Sequence, residues 1–386
     1  MAQPRSIFAE VTTPPAGGTP PPPSGGLIDA ARDRGRRLVR GWLVVLFVLV
    51  AGMIALGGAT RLTDSGLSIT EWRPVAGALP PMSAEAWQAE FDRYRAIPQY
   101  QLVNKGMSLA EFQYIYWWEW AHRQMGRLIG LVWAVGMLGL WLSGRIPPGW
   151  TGRLLALGVL GGLQGAIGWW MVASGLSGEM IRVASYRLAV HLGLAFVILG
   201  LIAWHVHSLG RSEVELLHAR RGREGRLLRI STGLMHLAFV QIILGALVAG
   251  IDAGRAFPTW PLMNGQFFPA NAFYVPDGPL WRAFFENEGL VQFIHRMTGY
   301  AFAAFAIVAW LRGRRSAHRA TRATFHALLV MTGAQIALGI WAVLSLAALP
   351  VALAHQVGAV ALWVIVIRAR HMSLYPRAGS IREGTA

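Results

Sequence analysis

Apolar residues along this chain gather into eight runs of roughly 20, each long enough to cross the ~30 Å hydrocarbon core of a bilayer as a helix. The runs fall at about 42–60, 118–142, 153–173, 187–207, 230–250, 289–311, 323–344 and 349–368. Pro350 stands in the first turn of the last run, a place where proline is tolerated. No water is present in lipid to satisfy free backbone groups, so each run must close its own hydrogen bonds as a helix. The pattern predicts an all-α integral membrane protein with eight transmembrane helices.

The pattern also repeats. Leu56-Gly57, Asp64, Gly66, Trp72, Gly77 and Pro81 recur with identical spacing as Leu244-Gly245, Asp252, Gly254, Trp260, Gly265 and Pro269. Gln164, Gly168 and Trp170 of the third run recur as Gln335, Gly339 and Trp341 of the seventh. Such periodicity signals a duplicated unit, here two tandem, pseudo-two-fold-related four-helix bundles. An even number of spans per unit leaves both copies in the same orientation, as in parallel repeats. The expected organisation is a disordered Pro/Gly-rich tail over 1–40, a first bundle over 41–210, a basic linker over 211–229, a second bundle over 230–370 and a tail over 371–386.

Charge changes the picture of topology more than of function. The formal net charge of +16 would suit a nucleic acid, but the arginines refuse that reading. They cluster before the first run (Arg32, Arg34, Arg36, Arg37, Arg40), between the fourth and fifth (Arg211, Arg220, Arg221, Arg223, Arg226, Arg229), between the sixth and seventh, and after the eighth (Arg368, Arg370, Arg377, Arg382). These blocks alternate with loops that also carry acids, which is the positive-inside pattern with both termini cytoplasmic. The first 30 residues lack the character of a presequence or signal peptide, so a bacterial plasma membrane is the expected location. The absence of cysteine excludes disulfides, thiolate haem ligation and iron–sulfur clusters.

Histidines supply the candidate chemistry. His122-Arg123 and His295-Arg296 stand in the second and sixth runs, each followed by glycine three residues on (Gly126, Gly299), and His191 and His355 stand in the fourth and eighth. A single such histidine reads most simply as a helix–helix contact. Four at repeated positions, expected in the first two turns of the even-numbered helices and near the outer face, predict two sites in which paired imidazoles hold a haem iron. Two ligands per half are too few for a closed zinc site. Arg123, Arg296 and, less favoured, Arg127 are candidates to meet the haem carboxylates, against snorkelling to the headgroups. Glu119 precedes His122 by three residues, whereas Gln292 holds that position before His295. The acid could relay a proton or hold the imidazole by a hydrogen bond; if the halves divide labour, chemistry belongs to the first and a permanent haem to the second. His205, His207, His236 and His326 lack partners in the other half, and His218, His318 and His371 read as solvated. The long segment from Arg61 to about 115 carries a predicted surface helix near 83–95, and its aromatic end reads as an interfacial belt. With 251–288 it is expected to cap the two sites. Gly57-Gly58 and Gly161-Gly162 read as close-packing positions.

These residues resemble the haem A synthase family: Glu119-x-x-His122-Arg123, His191 in Leu188-Ala189-Val190-His191-Leu192-Gly193, His295-Arg296, Ala354-His355-Gln356, and Gly57-Gly58-Ala59-Thr60-Arg61-Leu62-Thr63-x-Ser65-Gly66-Leu67-Ser68 followed by Glu71-Trp72. The likeness covers roughly residues 40 to 370, and the missing cysteines look like the alphaproteobacterial and mitochondrial branch. It implies an eight-helix oxidoreductase that converts the C8 methyl of haem O to a formyl group, making haem A for cytochrome c oxidase. By that likeness His295 and His355 would ligate a resident haem b. His122 and His191 would hold the substrate haem, with Glu119 beside its reacting edge. Haem O synthase, oxidase assembly factors and an electron-transfer partner would be its associates. If both first-half imidazoles stay bound, dioxygen has no open iron site; either one leaves, or electrons and protons are removed and water supplies the oxygen. The alternatives are a two-haem b-type electron-transfer cytochrome, which needs the histidines but no acid, and a transporter, which would need broken helices and midplane charges.

Overall fold

The computed structural model describes residues 27–73, 75–178, 180–276 and 278–377, and among them it is all-helical. Eight long helices carry the apolar runs: α1 (Leu27–Leu62), α2 (Leu109–Leu142), α3 (Thr151–Gly175), α4 (Ser185–Leu209), α5 (Gly225–Gly250), α6 (Glu288–Gly313), α7 (Arg319–Leu344) and α8 (Leu349–Leu374). All eight are long and apolar enough to span a membrane.

Most overrun the sequence boundaries, because hydropathy marks only the bilayer-length part of a helix. Residues 27–40, expected in the tail, belong to α1. The linker contains a helix, Glu213–Arg221, started by a reciprocal Ser212–Glu215 cap, and α5 begins before it ends at 229. The rest of the expected tails, 1–26 and 378–386 with Arg382, lies outside the described residues.

Within each half the helices pack in a ring. α1 meets α2, α2 meets α3, α3 meets α4, and α4 returns to α1; α5 to α8 close in the same way. The rings join where α4 lies on α5 and α1 on α8, with α4 touching α8 between them. Exchanging the halves exchanges these contacts, as the doubled plan requires. Lipid tails are as apolar as leucine, so association here rests on close packing and hydrogen bonds rather than on escape from water. Trp363 of α8 supplies both: its indole donates to the Phe196 carbonyl of α4 at 2.9 Å and lies over Gly200. Gly57 and Gly58 do admit close neighbours, but a Cβ at Gly161 or Gly162 would meet nothing, so the packing role expected there is absent.

The two ends of the molecule differ. At one, Arg36 of α1 donates to the carbonyls of Ser208 and Arg211, and Arg211 reaches across to the second half, donating to the Tyr375 carbonyl at 2.8 Å. His371, expected to be solvated, is fully buried there against Trp204, His207 and Tyr375, because α8 continues past its apolar run.

At the other end the 63–108 segment folds into a cap. Its helix, Ala84–Arg95, starts at an N-capping Ser83 as the spacing predicts. Phe91, Tyr94 and Tyr100 form a small core with Phe112 and Tyr116 of α2, and Phe91 stacks on Phe112 with ring centroids 5.0 Å apart. Phe112 and Tyr116 belong to the stretch read from sequence as a lipid-interface belt; they pack into the cap instead, while Tyr114 and Trp117 of that stretch stay exposed. Burial pushes the Tyr94 hydroxyl up to about 12.

Candidate functional site

The four histidines come from α2, α4, α6 and α8, which stand diagonally opposite in their rings. Each imidazole lies against a glycine of the preceding long helix. A Cβ at Gly57 would come within 3.1 Å of the His122 ring, at Gly168 within 2.8 Å of His191, at Gly245 within 3.1 Å of His295, and at Gly339 within 3.0 Å of His355. The repeated glycines are therefore seats for the repeated histidines. In each half the two imidazoles lie within electrostatic reach of one another. His191, His295 and His355 stand about two turns into their helices as expected. His122 stands nearly four turns in, because α2 starts at Leu109. The missed signal is the Ser108–Glu111 capping box.

Glutamines hold three of the four. Gln164 donates to the His191 carbonyl at 3.0 Å, Gln241 to that of His295 at 3.0 Å and Gln335 to that of His355 at 2.8 Å, each with its amide nitrogen 3.2 Å from Nδ1. Gln241 was not among the sequence candidates. Its counterpart in the first half is Met53, which cannot donate, so His122 is seated by Gly57 without an amide.

The acid and the amide ahead of the histidines dock equivalent loops with opposite polarity. Glu119, only 3% exposed, accepts from the Ser68 hydroxyl and the Ile69 N–H, both at 2.8 Å, and from Arg123 Nε at 3.0 Å and Nη2 at 2.6 Å. Gln292 instead donates to the carbonyls of Ala253 (2.9 Å) and Phe257 (3.4 Å) and accepts from Arg296 at 3.1 Å. Ile69 and Phe257 occupy the same repeat position, and Arg123 and Arg296 donate to their carbonyls at 2.8 and 3.0 Å. All four acceptor sites of the Glu119 carboxylate are thus used, and the partners lie on the loop and on Arg123.

The arginines part company. Every nitrogen of Arg123 donates within the protein, to Glu119, to the Ile69 carbonyl and, through Nη1, to the Glu71 carbonyl at 3.1 Å. Four of its five N–H groups are thus used, which leaves one, on Nη1, for the carboxylate-binding role expected of it. Arg296 is buried yet its Nε and Nη1 have no partner. Arg127 donates to the Arg73 carbonyl at 3.1 Å. A polar cavity of about 300 Å³, lined by Glu71, Arg73, Glu90, Arg93, Arg123 and Arg127 among others, opens beside the Glu119–Arg123 pair.

The sequence model of the family described as "Cytochrome oxidase assembly protein" matches residues 40–367. The chain belongs to this family, that of the haem A synthases. It is 64% identical over 380 residues to "Heme A synthase" of Paracoccus denitrificans (strain Pd 1222), covering 98% of each chain. It is 61% identical over 388 residues to "Heme A synthase" of Cereibacter sphaeroides (strain ATCC 17029 / ATH 2.4.9), covering 99% of this chain and 98% of the relative. To "Heme A synthase" of Dinoroseobacter shibae (strain DSM 16493 / NCIMB 14021 / DFL 12) it is 59% identical over 387 residues, covering both chains in full. Family membership makes this multi-pass membrane protein an enzyme that handles haem.

Proposed function

We propose that the chain makes haem A by oxidising the C8 methyl of haem O to a formyl group, a haem A synthase activity that supplies cytochrome c oxidase. The supporting observation is the set of paired imidazoles on diagonal helices, each facing a glycine that leaves room at the ring, together with an acid in only one half. The donor set fits haem: neutral imidazoles are its usual nitrogen ligands, and glycine at each ring removes the Cβ that would crowd it.

In this reading His295 and His355 hold a resident haem b, whose chemistry is electron transfer, and Arg296 meets its carboxylates through the two idle N–H groups. His122 and His191 hold the substrate. Arg123 fixes Glu119 and clamps the 69–71 segment beside the site. Glu119 takes up a proton only by releasing one of its four donors, and the polar cavity next to Arg123 gives that proton a route to water. The cap and cavity face the outer side of a bacterial plasma membrane, with both termini cytoplasmic. A haem O synthase hands over substrate, oxidase assembly factors take the product, and a separate redox partner accepts electrons.

The test is pigment extraction from a host that makes haem O, with and without this chain. Haem A is expected with the wild type and absent with Glu119→Ala or Glu119→Gln, since an amide cannot accept from four donors. Haem O left unchanged by the wild type would favour the two-haem cytochrome instead.

A further inference from the structure

We propose that Arg187 anchors the carboxylates of the haem held in the first half, and that the two halves carry this anchor on opposite members of their histidine pairs. The proposal rests on the haem reading above and adds a residue that neither the repeat nor the sequence pattern singled out.

Arg187 stands four residues before His191 on α4, hence on the same face one turn closer to the helix start. Its Nε and Nη1 are buried and have no hydrogen-bond partner. Buried guanidinium N–H groups without acceptors are costly, so two on one side chain point to an acceptor that belongs to a ligand. The side chain is held in place by aromatic faces. Its guanidinium lies 5.1 Å from the Trp170 ring centroid and 5.6 Å from that of Tyr186. Trp170 is on α3, two residues beyond Gly168, the seat of the His191 ring. The arginine is thereby held one turn before the imidazole on the same helix. It also sits in the first turn of a 25-residue helix, where the positive end of the helix dipole favours an anion.

The second half lacks this arginine: Val351, buried, occupies the equivalent place four residues before His355. There the idle donors are Nε and Nη1 of Arg296 on α6, whereas every nitrogen of its first-half counterpart, Arg123, already donates. Each half therefore keeps one arginine with two idle nitrogens, on α4 in the first and on α6 in the second. Moving the anchor to α4 leaves Arg123 committed to Glu119, so binding the substrate's carboxylates does not disturb the acid.

The experiment uses the full-length protein in detergent, carrying its second-half pigment. Haem b and haem b dimethyl ester are added in turn, and the extra low-spin absorption is followed, with His191→Ala as the blank that assigns the increment to the first half. Wild type is expected to prefer the free acid to the diester. Arg187→Leu is expected to bind the free acid about ten-fold more weakly, with diester binding unchanged and the second-half band intact as the folding control. Arg187→Lys should recover part of the preference. Acid and diester bound alike by wild type, or a preference that survives in Arg187→Leu, would overturn the arginine assignment while leaving the haem reading standing. An increment that is absent with both probes, or that persists in His191→Ala, would overturn the haem reading itself.

Discussion

At the scale of single residues, the site is a set of exchanges between glycine and imidazole. Gly168 is the tightest seat: a Cβ there would lie 2.8 Å from Cε1 of His191, closer than van der Waals contact permits. Gly168→Val is therefore expected to displace the ring and abolish the first-half low-spin signal while the second-half signal stays. Gly161→Ala, where a Cβ meets nothing, should leave both; optical and paramagnetic resonance spectra of the two variants decide. His122 presents the complementary case. Met53 stands where Gln241 serves His295, so the His122 imidazole lacks the amide that steadies the other three. Met53→Gln, close to a volume-conserving change, should supply that bond. Carbon monoxide is then expected to displace a first-half imidazole about five-fold more slowly in the reduced protein, the worth of roughly 1 kcal/mol. Equal rates would show that the missing amide does not set ligand mobility. Histidines, glycines and the Glu119/Gln292 difference were all legible because they break apolar runs at repeated positions. Gln241 was not, since without a first-half partner it is one polar residue among many. Nor could spacing tell that Arg123 spends its donors on a loop 50 residues away in sequence.

At the scale of elements, legibility followed hydropathy and stopped where hydropathy stops. The eight spans were readable; the last turns of α8 that bury His371, and the first turns of α2, were not. Those α2 turns matter because Phe112 and Tyr116 weld the cap to the same helix that carries Glu119 and His122. Tyrosine and tryptophan at a membrane boundary have two common uses, an interfacial belt and a desolvated core, and composition alone does not separate them. Phe112 is fully buried between Phe91, Tyr94 and Tyr116. Phe112→Ala is expected to cost about 3–5 kcal/mol of local stability, the usual toll of a large core truncation. Because the cap contributes Ser68 and Ile69 to the Glu119 carboxylate, its loosening should also lower haem A yield. Limited proteolysis of the 63–108 segment, faster in the variant than in wild type, is the readout. An unchanged cleavage rate would return those aromatics to a belt.

At the scale of the whole molecule, the two ends carry different electrostatic habits, and the difference supports the proposed orientation in a bilayer. At the capped end most arginines, Arg187 and Arg296 apart, meet carboxylates: Arg61 with Asp64 and Asp252, Arg93 with Glu90, Arg123 with Glu119, Arg182 with Asp252, and Arg282 with Glu286. At the other end Arg36 meets Glu213 at 3.6 Å, while Arg36 and Arg211 otherwise donate to backbone carbonyls, which cancel no charge. In the proposed orientation the more basic end stays cytoplasmic, and the histidine pairs and their cap face outward. The chain contains no cysteine, which makes the consequence easy to measure. Lys105 in the cap and Arg220 in the basic end are both exposed, and Lys105→Cys and Arg220→Cys each introduce a single thiol. A membrane-impermeant maleimide added to spheroplasts is expected to label the first and spare the second until the membrane is opened. The reverse result would invert the orientation, placing Glu119 and its cavity on the side from which cytoplasmic partners deliver substrate. Protons released at the acid would then return to the cytoplasm instead of leaving it.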